Sequence, residues 1–458
     1  MPTNGQRSKR TRIKHWARAL LQSFRRAPGQ LVLQLTDRCN AHCPQCGMRV
    51  SERFQRAVLD DDTARRTIDA AAQRGIQVLS FTGGEPLLVL DRLVDLINYA
   101  GCRGINYIRT GTNGFQFCGA EKPGFERRVH AIAAKLARTP LRNFWISIDS
   151  VEPDVHETIR GFKGLFAGIE KAVAIFYQYG LYPSANLGIN RCMGGPAITP
   201  LKPGADARQQ TRLYHRFKRD LGRFYRRVSE MGFTIANVCY PMSYEADCSS
   251  AGNTDTAIYQ AASVDSMVRF SPTEKALLFK ALLDVIPEHR PLLRLFTPRC
   301  ALYALQRTYL ESKTGYRSYP CRGGIDFFFI DAHHGNLYPC GYRGGENLGK
   351  LWERPRNHRQ PKPFCRRCDW ECFRDPSELF GPFLEAGLNP VALMKRIADE
   401  GEFFRLWAQD IRYYRACDFF NGRKPPRRRL QRYGRRSTGP ASNPPCSGMT
   451  DAVKPGSH

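Results

Sequence analysis

The sequence predicts an α/β protein built on a mainly parallel sheet, and three observations carry that expectation. Apolar, β-prone runs recur at 31–36, 76–82, 105–112, 143–149, 181–189 and 234–240. Helical spacing fills the gaps, near 62–74, 90–100, 124–138, 164–179 and 207–231. Strands that alternate singly with helices are joined by crossovers, which leave neighbouring strands parallel. The third observation is where the polar motifs fall. Thiols, a glycine pair and an arginine follow strand ends, where parallel α/β proteins bind ligands.

Taken in order, residues 1–12 are polar and basic and are expected to be disordered. Ile13, Trp16, Ala17, Leu20, Leu21 and Phe24 then recur at helical spacing, with Lys14, Arg18, Arg25 and Arg26 elsewhere on the surface. That helix either packs on the outside of the following unit or lies on an anionic membrane surface. The first strand runs into Cys39, Cys43 and Cys46, spaced C-x3-C-x2-C. Three thiolates on one loop can hold three corners of a [4Fe–4S] cluster and leave the fourth iron open. A zinc site is the alternative.

The second strand breaks at Gly83, Gly84, Glu85 and Pro86. Paired glycines there would let the backbone approach a ligand closely. The third strand ends in Thr112-Asn113-Gly114, and the fourth in Ser147-Ile148-Asp149, with His156 and Arg160 after it. Residues 191–206 read as a loop, and 241–271 as a polar stretch without a readable motif. After a helix near 272–287 come Cys321, a strand-like run at 325–330, a hairpin turn at Gly335-Asn336, and Cys340. Cys365, Cys368 and Cys372 follow, then apolar helical faces over 376–420. The tail from 421, rich in Pro, Gly, Ser and Arg, is expected to be disordered.

Composition narrows the function. The chain has 458 residues and a net charge of +28. Residues 1–30 carry +8 and residues 421–458 another +8, so the long body between them holds only +12. That excludes a concentrated nucleic-acid footprint. Sixteen cysteines in metal-type groups suit a reducing compartment and not a secreted disulfide scaffold. With no run of eighteen apolar residues and no signal-peptide core, the expectation is a soluble, cytoplasmic protein.

The C-x3-C-x2-C loop after a strand, with a Gly-Gly-Glu-Pro turn one β–α unit later, resembles the radical S-adenosylmethionine (SAM) enzymes. The pattern C-x13-G-x4-C over Cys321, Gly335 and Cys340, followed by Cys365-x2-Cys368, resembles their SPASM and twitch auxiliary domains. The resemblance implies a partial (βα)6, TIM-like barrel over 31–270 after a basic segment at 1–30. It further implies a helical connector at 271–320, a small cysteine-rich Fe–S domain at 321–375, C-terminal helices at 376–420 and a basic tail at 421–458.

Residue by residue, the resemblance gives Cys39, Cys43 and Cys46 to the SAM-binding [4Fe–4S] cluster. It gives Gly83, Gly84, Glu85 and Pro86 to the amino group of SAM, and Ser147 and Arg160 to its carboxylate. Asn190 falls to the ribose or carboxylate, and Val238 to the adenine. Before the third cysteine, where the family has an aromatic residue near the adenine, this chain has Gln45, whose amide can still meet a purine edge. A full SPASM domain holds two clusters with a C-x2-C-x5-C-x3-C run, whereas here the run is C-x2-C-x3-C plus a distant Cys417. One auxiliary [4Fe–4S] cluster is therefore expected, on Cys321, Cys340, Cys365 and Cys368, with Cys372 as substitute or fifth thiol.

The implied activity is reductive cleavage of SAM to a 5′-deoxyadenosyl radical, which takes hydrogen from a substrate. The electron donor would be a protein such as flavodoxin or ferredoxin. Three functions share these parts: maturase-like modification of a peptide or protein, small-molecule or cofactor biosynthesis, and a non-catalytic Fe–S carrier or scaffold. Only thirty residues precede the first strand, whereas many peptide-modifying relatives carry a recognition domain of about 80 there. The SAM-type turn and Ser147 with Arg160 argue against the carrier.

Overall fold

The computed structural model describes residues 26–46, 56–241, 265–311, 316–354, 365–366, 368–418, 423 and 425–437. The amphipathic helix expected at 13–26 and most of the polar stretch 241–271 lie outside these residues. Strands β1 (Gly29–Thr36), β2 (Ile76–Gly83), β3 (Tyr107–Thr112), β4 (Leu141–Ser147), β5 (Ser184–Gly188) and β6 (Ile235–Cys239) stand side by side, all parallel. Their crossovers are α1 (Asp61–Gln73), α2 (Leu90–Cys102), α3 (Phe125–Ala137), α4 (Pro153–Arg160), α5 (Leu165–Gln178) and α6 (Ala207–Glu230). The α/β partial barrel of the sequence reading is present, with strand and helix bounds within three residues of those expected.

Local chemistry starts the helices where the apolar period begins. Asp60 accepts from the Thr63 N–H at the head of α1, and Asp206 with Gln209 forms a reciprocal capping box on α6. Ser271 and Glu274 do the same for α7 (Pro272–His289), with Pro272 in its first turn. Strand alternation then sorts the two faces of the sheet. Leu31, Leu33, Leu79, Phe81, Ile108, Phe144, Ile146, Leu187 and Val238 turn outward into one core under the helices. Arg109, Asn143, Trp145, Asn186, Asn237 and Cys239 occupy the alternate, inward positions.

Two departures from the sequence reading concern the edges. A short β7 (Arg294–Leu295), not expected, pairs with β6 and is followed by α8 (Arg299–Leu310). At the other edge β8 (Phe327–Ile330) pairs parallel with β1, and β9 (Leu337–Tyr338) pairs antiparallel with β8. The hairpin expected as part of a separate cysteine-rich domain therefore extends the barrel sheet, and the nine strands run β7-β6-β5-β4-β3-β2-β1-β8-β9. Phe327, Phe329 and Val32 build a second apolar cluster there with Cys321, Cys340 and Trp370.

The C-terminal helices are α9 (Glu371–Leu388), α10 (Pro390–Asp399), α11 (Gly401–Cys417) and α12 (Arg427–Ser437). The tail expected to be disordered from 421 is thus helical over 427–437. Leu430 supplies the reason, being 3% exposed in a cluster with Tyr413, Tyr414 and Cys417. Among the described residues no helix is long and apolar enough to cross a membrane.

Candidate active site

The cysteine loop leaves β1 at the carboxyl end of the sheet and is held there by its neighbours. The Gly84 N–H donates to the Thr36 carbonyl at 2.7 Å, and the Glu85 N–H to the Arg38 carbonyl at 2.8 Å. A Cβ on Gly83 would fall 1.8 Å from the Thr36 oxygen, and one on Gly84 2.2 Å from the Arg38 oxygen. The glycines therefore admit the cysteine loop itself, which is a different reason for them than approach to a ligand. Gly83 also has φ +144, a region side chains avoid.

Glu85 continues the clamp. Its carboxylate is fully buried and accepts from the Leu87 N–H at 2.9 Å and the Asn113 N–H at 2.6 Å. Burial outweighs these donors and pushes its pKa up to about 7. Asn113 in turn donates its amide to Asn40 at 3.0 Å and to the Cys39 sulfur at 3.7 Å. The Ala41 N–H points at the same sulfur from 3.5 Å. Burial raises the Cys39 thiol above its ordinary range, and these two N–H donors pull the other way. The Cys43 thiol is pushed up to about 12 by burial, against the opposing pull of Arg160.

Opposite the loop, Arg160 grips Asp149 in two places, Nε to Oδ2 at 2.5 Å and Nη2 to Oδ1 at 3.0 Å. Gln45 donates its amide to the same Asp149 Oδ2 at 2.9 Å. Asp149 is 0% exposed, so this triangle ties the cysteine loop, the end of β4 and the end of α4 together. The Asp149 backbone is fixed as well: its N–H donates to His156 Nδ1 at 3.1 Å, and its carbonyl accepts from Asn190 Nδ2 at 2.9 Å. A guanidinium has five N–H donors, and Asp149 takes two. The rest can meet an anion such as an amino-acid carboxylate.

The expected contacts sort as follows. Cys39, Cys43, Cys46, Gln45 and Arg160 gather at one mouth, with Ser147, the last residue of β4, on the inward face beside them. Glu85 and the glycines brace the loop, and Pro86 opens the short turn behind it. Asn190 already spends its amide on Asp149, on the Gly188 carbonyl at 2.8 Å and on the Cys192 N–H at 2.7 Å, so it positions Asp149. Val238 lies in the outer core under the helices, whereas Asn237 and Cys239 beside it take the inward positions. The side chain of Val238, expected near the adenine, therefore faces the outer core. Asp149 was present in the sequence motif without an assigned role. The available signal was an acid two residues past Ser147 and eleven before an arginine.

A second group of thiols sits under β8 and β9. Cys321 and Cys340 are each 7% exposed, and the Cys321 N–H donates to the Cys365 carbonyl at 2.8 Å. Burial raises Cys368 well above the ordinary thiol range, and the neighbouring charges that add to this are Cys340, Cys321 and Cys365. Cys372 stands apart from that set. Its Sγ lies 3.7 Å from Glu371 Oε1, and the charges that raise it are Glu371 and Asp375. Among the described residues no three His, Cys, Asp or Glu side chains converge on a single ion. An iron–sulfur cluster binds its thiolates through different irons and so spreads them further apart. The donor sets at both places, three thiols and four, fit such clusters in number and kind.

A parallel α/β barrel whose mouth carries three thiols beside a buried guanidinium–carboxylate pair has a donor set suited to an iron–sulfur cluster. Comparison with known families agrees with this: the chain matches the sequence model of the Radical SAM superfamily over residues 33–200. It is 31% identical over 172 residues to GTP 3′,8-cyclase of Actinobacillus succinogenes, covering 36% of this chain and 47% of that protein. It is 32% identical over 141 residues to PqqA peptide cyclase of Ruegeria pomeroyi, covering 31% and 34%. The chain thus spans about half or less of the curated relatives it matches. Among solved structures, anSMEcpe with bound AdoMet aligns at TM-score 0.46 and 16% identity, over 80% of this chain and 98% of that one. Streptococcus suis SuiB bound to S-adenosylmethionine aligns at 0.45 and 15%, over 79% and 72%.

Proposed function

We propose that the chain is a radical SAM enzyme acting on a peptide or protein, with Cys39, Cys43 and Cys46 holding a [4Fe–4S] cluster and SAM bound beside it. The observation that carries this reading is the Gln45–Asp149–Arg160 triangle at the thiol loop, because an electron carrier needs no cation held beside its cluster. When bound, the cluster and SAM supply one-electron cleavage of the sulfonium and hydrogen abstraction from a substrate. The chain's own part is to hold and orient. Arg160 offers its remaining N–H groups to the carboxylate of SAM, and Ser147 adds a hydroxyl from the end of β4. Gln45 keeps Arg160 and the cysteine loop in register through Asp149.

The inward face of the sheet favours a peptide over a nucleoside triphosphate. Ser184 donates to Asn143 at 3.0 Å, Asn237 donates to Ser184 at 3.5 Å, and Asn186 shares a contact with Cys239 at 3.4 Å. Such neutral amides and hydroxyls match peptide groups. The cations that strand register puts on this face among the described residues, Arg109 and Arg294, are engaged by Ser80 and Thr234. A triphosphate calls for several cations. Biosynthesis of a small molecule or cofactor is the second reading, favoured by the likeness to GTP 3′,8-cyclase. Cys321, Cys340, Cys365 and Cys368 would hold one auxiliary cluster, and a reduced flavodoxin or ferredoxin would supply the electron.

The test is anaerobic reconstitution with iron and sulfide, then SAM and a strong reductant. Slow release of 5′-deoxyadenosine without substrate is expected from the wild type, with none from the Cys39, Cys43, Cys46 triple alanine variant. Equal release from both would end the reading.

A further inference from the structure

On the outer surface of the barrel, away from the thiols, α6 and α7 enclose a cleft of about 340 Å³ lined by His215, Lys218, Arg219, Gly222, Arg226, Val285 and Glu288. His215, Arg219, Gly222 and Arg226 recur at i, i+4, i+7 and i+11, so they form one stripe along α6. The charges on it are unevenly matched. Lys218 meets Glu288 at 3.4 Å and Arg219 meets Asp220 at 3.2 Å, whereas Arg226, among the described residues, is in no ion pair.

Two observations at the floor of the cleft point to a ligand. The first is Gly222, in the interior of a 24-residue helix, where glycine costs stability relative to alanine. Packing does not require it. A Cβ there would make ordinary contacts only, 3.6 Å to Arg226 Nη1, 3.6 Å to Val285 Cγ2 and 4.0 Å to His289 Nε2. The second is His289 from α7, which is 6% exposed and whose Nε2 has no hydrogen-bond partner. Buried polar atoms are nearly always paired, so an orphan nitrogen under a bare glycine marks a place where a partner is missing. The missing side chain leaves the Arg226 guanidinium and His289 Nε2 converging on one spot.

We propose that the α6–α7 cleft is a binding site for a small phosphate-type oxyanion, free or carried by a phosphate ester, seated over Gly222 between Arg226, Lys218 and His215. Arg226 supplies planar, paired donors that match such an anion, and Lys218 adds charge at the rim. The site is independent of the barrel mouth and does not rest on the reading of SAM chemistry.

Calorimetric titration of the full-length, reconstituted protein at fixed ionic strength tests it, with inorganic phosphate, pyrophosphate and ATP as probes. Wild type should bind at least one of them, and ATP tighter than phosphate would identify an ester as the carrier. Arg226→Ala should weaken binding about tenfold or more, the loss of a charge-assisted contact. Gly222→Ala should weaken it comparably while the melting temperature stays equal or rises, since alanine fits the space and favours the helix. That variant separates binding from folding. Absence of binding to wild type at 10 mM probe, or equal affinity in all three proteins, would overturn the proposal. So would affinity for a single-stranded oligonucleotide that grows with its length while the small probes do not bind.

Discussion

Arg160 Nε stands 2.5 Å from Asp149 Oδ2 at the mouth of the barrel, with the arginine side chain 13% exposed and the aspartate 0%. This is a buried pair, and its two halves are not equivalent to mutation. On the proposed reading Arg160→Ala removes a donor to SAM, whose affinity should fall by roughly 1.5–3 kcal/mol, the usual range for a hydrogen bond to a charged group. Either Arg160→Ala or Asp149→Ala leaves a buried charge unpaired, the Asp149 carboxylate in the first and the Arg160 guanidinium in the second, which costs about 3–5 kcal/mol of folding stability. Only Arg160→Ala also removes the proposed donor to SAM. Calorimetric titration of iron-matched protein and chemical denaturation together separate the two. Equal SAM affinity in wild type and Arg160→Ala would remove Arg160 from the site.

Glu85 sets a pH dependence. Burial raises its folded pKa from 4.5 to about 7. A raised pKa means that the folded state holds the proton more tightly, so the contribution to stability is complete below 4.5 and is lost as pH climbs to 7. In Glu85→Gln the slope of stability against pH over that window should shrink by the share of one proton. Glu378, also raised to about 7 by burial, should leave part of the slope in place. Unfolding midpoints in denaturant at several pH values measure it, and an unchanged slope would show that Glu85 does not titrate there.

Gly84→Ala probes the clamp directly. The added methyl would meet backbone at the Arg38 carbonyl, which cannot swing aside as a side chain would. Overpacking of this kind costs typically 1–3 kcal/mol, and the strain falls on the loop that begins at Cys39. The variant should retain the iron of the second thiol group and lose part of that at the first. Full iron at both places would show that the loop yields without losing its cluster.

Much of this arrangement is legible in the sequence, and the parts that are not have physical reasons. Strands and helices with a full apolar period, such as 76–83 and 207–230, declare themselves through burial on one face. The thiols declare themselves by spacing alone. Asp149 does not, because its importance lies in partners 104 residues upstream and 11 downstream, Gln45 and Arg160. The face of Val238 follows from strand register, which motif matching at a strand end does not supply. β7, with two residues, is too short for any period to show. The pairing of β8 with β1 joins segments nearly three hundred residues apart, and no local pattern encodes it.

The charged tail meets the body of the protein through Arg423, Leu430 and Tyr433. Arg423 reaches the carbonyls of Leu141 at 2.9 Å and Ala137 at 2.9 Å, closing the end of α3 and the start of β4. Leu430 is buried, and Tyr433 packs on Tyr413 with ring centroids 5.3 Å apart. Truncation after 437 should leave the melting temperature unchanged, because the remaining sequence has little apolar content. Truncation after 420 should cost at least the burial of one leucine, about 1.5–3 kcal/mol. Thermal melts of the two truncations compare them, and equal midpoints would show that α12 does not contribute.

Cys321, Cys340, Cys365 and Cys368 are the proposed ligands of a second cluster. Cys368 feels the charges of Cys321, Cys340 and Cys365, whereas Cys372, one helical turn on, feels Glu371 and Asp375 and contacts Glu371. Residues four apart on a helix would share a face, but Cys368 precedes α9, which begins at Glu371. The change of backbone between them turns the two sulfurs to different surroundings. With both sites loaded the protein should bind about eight irons, four for each cluster. Cys368→Ser should drop this to about four, and Cys372→Ser should leave it near eight. Iron assay with absorbance of the anaerobic protein reads both variants. If Cys372→Ser lost four irons while Cys368→Ser kept eight, Cys372 would be the ligand and Cys368 the bystander.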